Sequence, residues 1–412
     1  MLVVGNVVGA GIFTTSGLLA SEIQHPMAFL AVWTLGGLLT LCGALTYAEL
    51  GAMYPRAGGD YQFLKEAYGS LAGFMIGWLS FWIISPGSIA ALSIAIVAYL
   101  PLWTWVPGPV WAAVIIVLLS LVNLRSTRLA SSTQTVITVG SLLLLAGLVV
   151  GGFVVGDGSF RHFDADTGQS FSIPGSAMVA VLFTYSGWFA AAYVGSEVKN
   201  PGRNVPLALL LGTVIVAVLY VAINAVFLYA LPLSEMQGKA NVAGEAAKRL
   251  FGVGVASAMG LTIALAIGSC INASVMTGAR ICYAMADDGV FWSQLKAVHP
   301  RFQTPHIAIL AQGAIAVVMV LLGTFDFLLT AVVFAMLLSS IATGAAHIVL
   351  RAKKAHLNRP YRTFGYPVTP LLFIGSYAWI AGSVVWSKPE ASVWGIGMAL
   401  SGIPAYYWWR LK

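Results

Sequence analysis

Residues 3–17 read VVGNVVGAGIFTTSG, an uncharged apolar run interrupted at its centre by Gly9, Ala10 and Gly11. An unbroken helix through such a run bonds every backbone N–H and C=O within itself and can lie in lipid. Interrupting it leaves backbone groups unpaired, which lipid tolerates only where protein buries them or they line a cavity. A second interruption falls at Ser186 and Gly187 in FTYSGWFAAAYVG, residues 183–195, and Pro86 with Gly87 marks a third. The decisive question is therefore what surrounds these breaks.

Outward from them the chain is apolar almost throughout. Hydrophobic residues make up 59% of its 412 residues and charged residues 8%, against about 25% charged in an ordinary soluble domain. Hydropathy with breaks at Gly, Pro and charge clusters divides it into twelve segments. These are residues 2–20, 27–54, 71–100, 107–123, 130–155, 174–196, 205–232, 252–284, 305–323, 327–350, 367–386 and 391–409. The expected fold is one all-α polytopic membrane domain spanning residues 1–412.

An even number of spans puts both termini on one side. That side collects 16 of the 21 Lys and Arg residues, among them Arg56, Lys65, Lys199, Arg280, Arg351 and Arg359. The positive-inside rule makes it the cytoplasm. Because the basic residues are spread over the connections, the net charge of +7 follows from topology and not from nucleic-acid binding. Cys42, Cys270 and Cys282 all fall inside apolar runs, placed as packing residues and not for an external disulfide.

The first and sixth segments hold corresponding places if residues 1–155 and 174–350 are two five-helix halves, with 367–409 as two additional helices. Broken helices at matching places of inverted halves mark a transporter site near the midplane. Amides around Ala10, Gly11 and Ile12 would head the outer half-helix, where the dipole attracts a carboxylate. Carbonyls near Val7, Phe183, Ser186 and Gly187 would accept from an ammonium group. Together they form a receptor for a zwitterionic amino acid without an intramembrane charge. The plainer alternative is close helix packing through the GxxxG spacing of Gly5 and Gly9. A dinucleotide fingerprint lacks its third Gly and its strand, and a signal peptide lacks its basic leader.

At these residues the chain resembles the amino acid, polyamine and organocation superfamily, and within it the L-type amino acid transporter branch. The matching stretches are Val3–Gly17, Tyr47–Gly69 (YAELGAMYPRAGGDYQFLKEAYG), Phe183–Ala208, Gly278–Gly289 (GARICYAMADDG) and Asn358–Arg362 (NRPYR). The resemblance implies two inverted five-helix repeats plus two helices, working by alternating access. Carried over by position, amides at Ala10 and Gly11 hold the substrate carboxylate and carbonyls of Val7, Phe183 and Ser186 its amine. Phe183 matches the family's aromatic gate. The position of Ser186 is acidic in members that take cationic amino acids, so neutral substrates are expected here, small ones first.

Two departures matter. Many members of the branch carry a Lys where this chain has Ser141, at the place where sodium-coupled relatives of the fold bind their ion. Sodium coupling through Ser141, Ser274 and Thr277 is one expectation, and the alternative is that Ser141 bonds only its own helix. Exchange, sodium coupling and proton coupling thus stay open, and Glu49, Glu197 and His347 are read as braces near span ends more than as a proton relay. Secondly, only eight residues precede Gly9, about 12 Å of helix against a core of about 30 Å. A clipped start is therefore expected.

No cofactor is expected, and no Cys in the connection Pro101–Pro109 offers a disulfide to an ancillary subunit. An ATP-driven pump is disfavoured by the lack of a GxxxxGK[ST] loop, and an enzyme by the lack of an intramembrane catalytic cluster. An amino-acid-gated channel or non-transporting receptor is the rival to a carrier. The short connections suit a bacterial inner membrane.

Overall fold

The computed structural model describes residues 1–9, 11–97, 99–100, 105–125, 127–164, 170–239, 241–323 and 325–410. Among these residues the chain is helical with no sheet, and the only strand-like pairing is an isolated bridge between Ala57 and Val194. It is an all-α polytopic membrane protein, and the twelve expected segments each contain helix. Among the described residues eight helices are long and apolar enough to cross a bilayer. They include Pro26–Met53, Pro201–Ala230 and Val253–Asp287.

The broken spans are the informative ones. The first consists of Leu2–Val7 and Gly11–Glu22, and the sixth of Gly175–Thr184 and Ala190–Tyr193. The third is not broken where expected. Helix continues through Pro86 and Gly87, and a π-helical turn at Ser80–Ile84 precedes them. Proline clashes with the carbonyl four residues earlier. The wider turn, in which Ser85 N–H bonds the Ser80 carbonyl, relieves that clash without opening the helix.

The second span packs against the seventh, the third against the eighth and the fourth against the ninth. The inner half of the first lies against the fifth, seventh and eighth. Lipid-facing residues such as Val117, Leu118, Leu121, Leu143 and Leu144 are exposed, whereas Asn123, Gln134, Asn224 and Asn272 are buried. This inversion of a soluble protein follows from its solvent: hydrocarbon offers polar groups no partner, so they turn inward and bond one another. The connection at residues 54–69 is more than a loop, because it carries a helix, Asp60–Tyr68, packed against the third and tenth spans.

Candidate substrate site

Each break leaves backbone groups that the protein satisfies from elsewhere. In the first span the helix stops at Val7 and resumes at Gly11, and Ala10 lies outside the described residues. In the sixth, Gly187 takes φ +95°, a region that a side chain strains. A Cβ there would also sit 2.6 Å from the Asn6 carbonyl oxygen. This contact is where the breaks meet: Asn6 Nδ2 donates to the Gly187 carbonyl at 2.8 Å. On the other side of the breaks Thr15 Oγ1 and Thr184 Oγ1 lie 2.8 Å apart, and Gly11 packs so closely on Thr184 that a Cβ would meet its Cγ2 at 2.9 Å.

A fully buried tyrosine joins both breaks. The Tyr220 hydroxyl donates to the Val7 carbonyl at 2.8 Å and lies 3.5 Å from the Thr184 carbonyl. Its ring is held by Tyr185 and Trp33, with centroids 5.0 and 5.8 Å away. One turn on, Asn224 accepts from Ser16 at 2.8 Å, and Cys270 Sγ donates to the Asn6 carbonyl at 2.9 Å. Sequence reasoning missed Asn6, Thr184, Tyr220, Asn224 and Cys270. A signal for two of them was present: Tyr220 and Asn224 stand one helical turn apart inside an apolar span, where polar groups need a partner.

The two breaks therefore lie against each other, with backbone groups of each already engaged. The Val7 carbonyl accepts from Tyr220, and the Phe183 carbonyl accepts from the Ser186 N–H at 2.9 Å. Gly11 and Ile12 open the second helix of the first span, and the first amides of a helix lack an intrahelical acceptor. Phe183 and Ser186 line a cavity of about 20 Å³ with Val333, Met336, Ser340 and Tyr377 of the tenth and eleventh spans. That is room for about one water. Val7, Gly11 and Ile12 do not line it.

Ser141 is buried against the inner half of the first span, beside Val4, Gly5, Val8, Thr138 and Ser269, with its hydroxyl unpartnered. Ser274 and Thr277 do not line that pocket, and their hydroxyls donate one turn back to the Cys270 and Ala273 carbonyls, each at 2.9 Å. The eighth-span hydroxyl that does reach it is Ser269, bonded to Thr138 and to Gln134 at 2.8 Å each. Helical phase explains the difference: residues 269 and 274 are five apart and so lie on different faces. Among the described residues no group of three His, Cys, Asp or Glu side chains could hold a metal ion.

The most buried ion pairs stand at the end that collects most of the basic residues. Glu49, fully buried, accepts from Arg351 at 2.6 Å, Arg359 at 3.1 Å and the Thr363 N–H at 2.7 Å, with His347 Nε2 3.1 Å away. Arg351 also stacks on Tyr366, 3.9 Å from the ring centroid. Glu197 pairs with Arg280 at 2.7 Å. Glu49, Glu197 and His347 thus stand in bracing positions between spans.

With this geometry in place, comparison with known proteins is decisive. A family model described as amino acid permease matches residues 1–403. The chain belongs to the amino acid permease family. The permease is 34% identical to the serine/threonine exchanger SteT of Bacillus subtilis, over 98% of this chain and 94% of that protein. It is 31% identical to the human large neutral amino acids transporter small subunit 2, over 100% of this chain and 79% of that one. It is also 31% identical to the mouse Asc-type amino acid transporter 1, over 100% and 80%. These relatives place the permease in the L-type branch of the superfamily, among transporters and not enzymes.

Proposed function

We propose that the permease carries neutral α-amino acids by alternating access, favouring small ones such as serine, threonine and alanine, chiefly by exchange. The observation that carries this is the pair of facing breaks at Val7–Gly11 and Thr184–Ala190, tied through Asn6, Thr184 and Tyr220. The ties at the Val7 and Gly187 carbonyls are neutral hydrogen bonds that a substrate ammonium can replace, with Phe183 and Ser186 carbonyls beside them, while the amides of Ala10, Gly11 and Ile12 take its carboxylate. Such replacement couples binding to the relative position of the two spans.

Small size is supported by the cavity beside Ser186 and Ser340, whose two hydroxyls could bond a hydroxylated side chain. It is supported too by the Bacillus relative, a serine/threonine exchanger. Phe183, on the cavity wall, serves as the gate. The packing of second on seventh, third on eighth and fourth on ninth spans supports residues 1–155 and 174–350 as inverted repeats, with 367–409 as additional helices. Both termini are read as cytoplasmic in a cell membrane, from the distribution of Lys and Arg.

The test is counterflow in proteoliposomes with a panel of amino acids, run with sodium and with a sodium-free replacement. Labelled serine entry should be accelerated by unlabelled serine, threonine or alanine inside and unaffected by sodium. Preference for arginine or lysine would refute the substrate class. Entry without trans-acceleration would indicate a channel.

A further inference from the structure

Asp60 opens the loop helix Asp60–Tyr68 and is 3% exposed, yet among the described residues no Lys, Arg or His nitrogen pairs with its carboxylate. Ser339 of the tenth span donates to Oδ2 at 2.5 Å. The hydroxyls of Tyr47, Tyr193 and Thr343 turn toward the same carboxylate. None forms a well-aligned bond to its second oxygen: Asp60 Oδ1, Tyr47 OH and Thr343 Oγ1 are all buried and all without a partner. Two orphan hydroxyl oxygens beside the acid's own orphan oxygen form a buried group that holds no cation and can take up a single hydrogen. A proton on Oδ1 donates to one hydroxyl, and the hydroxyls can then orient to satisfy each other.

We propose that Asp60 is a proton-binding site that governs opening of the cytoplasmic half of the permease. It is protonated while the inner half of the sixth span is closed, and it releases the proton to the cytoplasm as that half moves away. This deepens, and rests on, the carrier reading above.

The connection to the gate is direct. Gly58 N–H bonds the carbonyl of Tyr193, the last residue of Ala190–Tyr193, and Ala57 bridges Val194. Gly59 packs so tightly on the Tyr193 ring that a Cβ would meet it at 2.6 Å. Ser340, next to the Asp60 donor Ser339, lines the cavity with Phe183 and Ser186. Moving the inner half of the sixth span must therefore displace the backbone that leads into Asp60.

The paired cations of this end hold other acids. Lys65 on the same helix pairs with Asp288 of the eighth span at 2.7 Å, and that carboxylate also takes the Tyr61 hydroxyl. Lys354 pairs with Glu66, Arg280 with Glu197, and Arg351, Arg359 and His347 surround Glu49. The titratable groups facing Asp60 are thus Tyr47 from the second span and Tyr193 from the sixth, neither of them a cation, with Ser339 and Thr343 from the tenth. Burial pushes the Asp60 carboxyl above the ordinary carboxylate range, opposed by the Ser339 bond. The helix-end dipole also favours the charged form, but weakly beside the loss of hydration.

The experiment is serine counterflow in proteoliposomes with the pH of the cytoplasmic side varied, for the wild-type chain, Asp60→Asn and Asp60→Glu. If opening requires ionised Asp60, the rate rises with pH up to about tenfold per unit on its acid limb. Asp60→Asn, an uncharged mimic of the protonated acid, stays at the low-pH rate throughout, and Asp60→Glu restores a displaced profile. A flat wild-type profile, or an Asn variant that keeps the wild-type profile, overturns the proposal. So does a sodium dependence that the Asn variant removes, which would make Asp60 a metal-cation site. Should the Asn variant not fold, infrared titration of the wild-type chain decides: a protonated-carboxyl band that vanishes as exchange accelerates supports the site, and its absence at every pH refutes it. Failure of exchange at all pH values would instead strike at the carrier reading itself.

Discussion

Tyr220→Phe removes one oxygen and keeps the ring between Tyr185 and Trp33. The Val7 carbonyl then loses its 2.8 Å donor, while the longer Thr184 contact at 3.5 Å contributes little. Leaving a buried carbonyl unpaired costs about 1–3 kcal/mol, whereas side-chain hydrogen bonds inside membranes average about 0.6 and reach about 1.7 kcal/mol. The overlap, about 1–1.7 kcal/mol, corresponds to about a 5- to 20-fold shift away from the state in which the breaks are tied. Cys270 reports that shift, because it is buried with Sγ bonded to the Asn6 carbonyl and becomes reachable only when the breaks part. In a background with Cys42 and Cys282 replaced by Ala, maleimide should label Cys270 about 5- to 20-fold faster in Tyr220→Phe than in its parent. Saturating serine should change the rate in both. An unchanged labelling rate in a folded variant that still exchanges serine would show that Tyr220 does not hold the breaks together.

Three further outcomes follow from the same geometry. Gly187→Ala combines a strained φ of +95° with a Cβ 2.6 Å from the Asn6 oxygen. It should abolish counterflow and lower the thermal midpoint in detergent, with strain of about 1–3 kcal/mol. Glu49→Ala strands Arg351 and Arg359 around a missing carboxylate, a loss of about 3–5 kcal/mol for a broken buried pair, visible as a large fall in the same midpoint. Ser186→Asp places an acid on the cavity wall and should admit arginine or lysine in competition assays at the expense of serine. Unaltered selectivity would mean that the substrate amine and side chain do not approach Ser186.

The twelve-span architecture was legible because hydrocarbon imposes a coarse rule on composition, and the first and sixth breaks were legible because Gly9–Gly11 and Ser186–Gly187 violate that rule. Pro86 misled because a π turn can absorb a proline without breaking a helix, and wider turns have no residue signature. Which eighth-span hydroxyl stands beside Ser141 was not legible either. Several hydroxyls share the eighth span, and only helical phase against the first and fifth selects Ser269. The partners that close the site, Asn6 with Gly187 and Tyr220 with Val7, are 181 and 213 residues apart in sequence. Pairings at such separations are set by packing, and no local pattern announces them. Asp60 escaped notice because it stands in a polar connection, where an acid looks solvated until the loop helix is seen folded into the bundle.

The cavity beside Phe183 and Ser186 has a pharmacological consequence. On the proposed reading, a pocket with room for about one water makes recognition inseparable from deformation: a substrate entering here spends contact energy on parting Met336 and Val333 from the sixth span, and its affinity understates those contacts. Turnover benefits, because loosely held cargo leaves quickly. A ligand with a bulkier tail escapes half of this bargain: it enters an opened pocket but never permits the closure that transport requires. The tightest ligands of this permease are therefore expected to be amino acids too large to be carried.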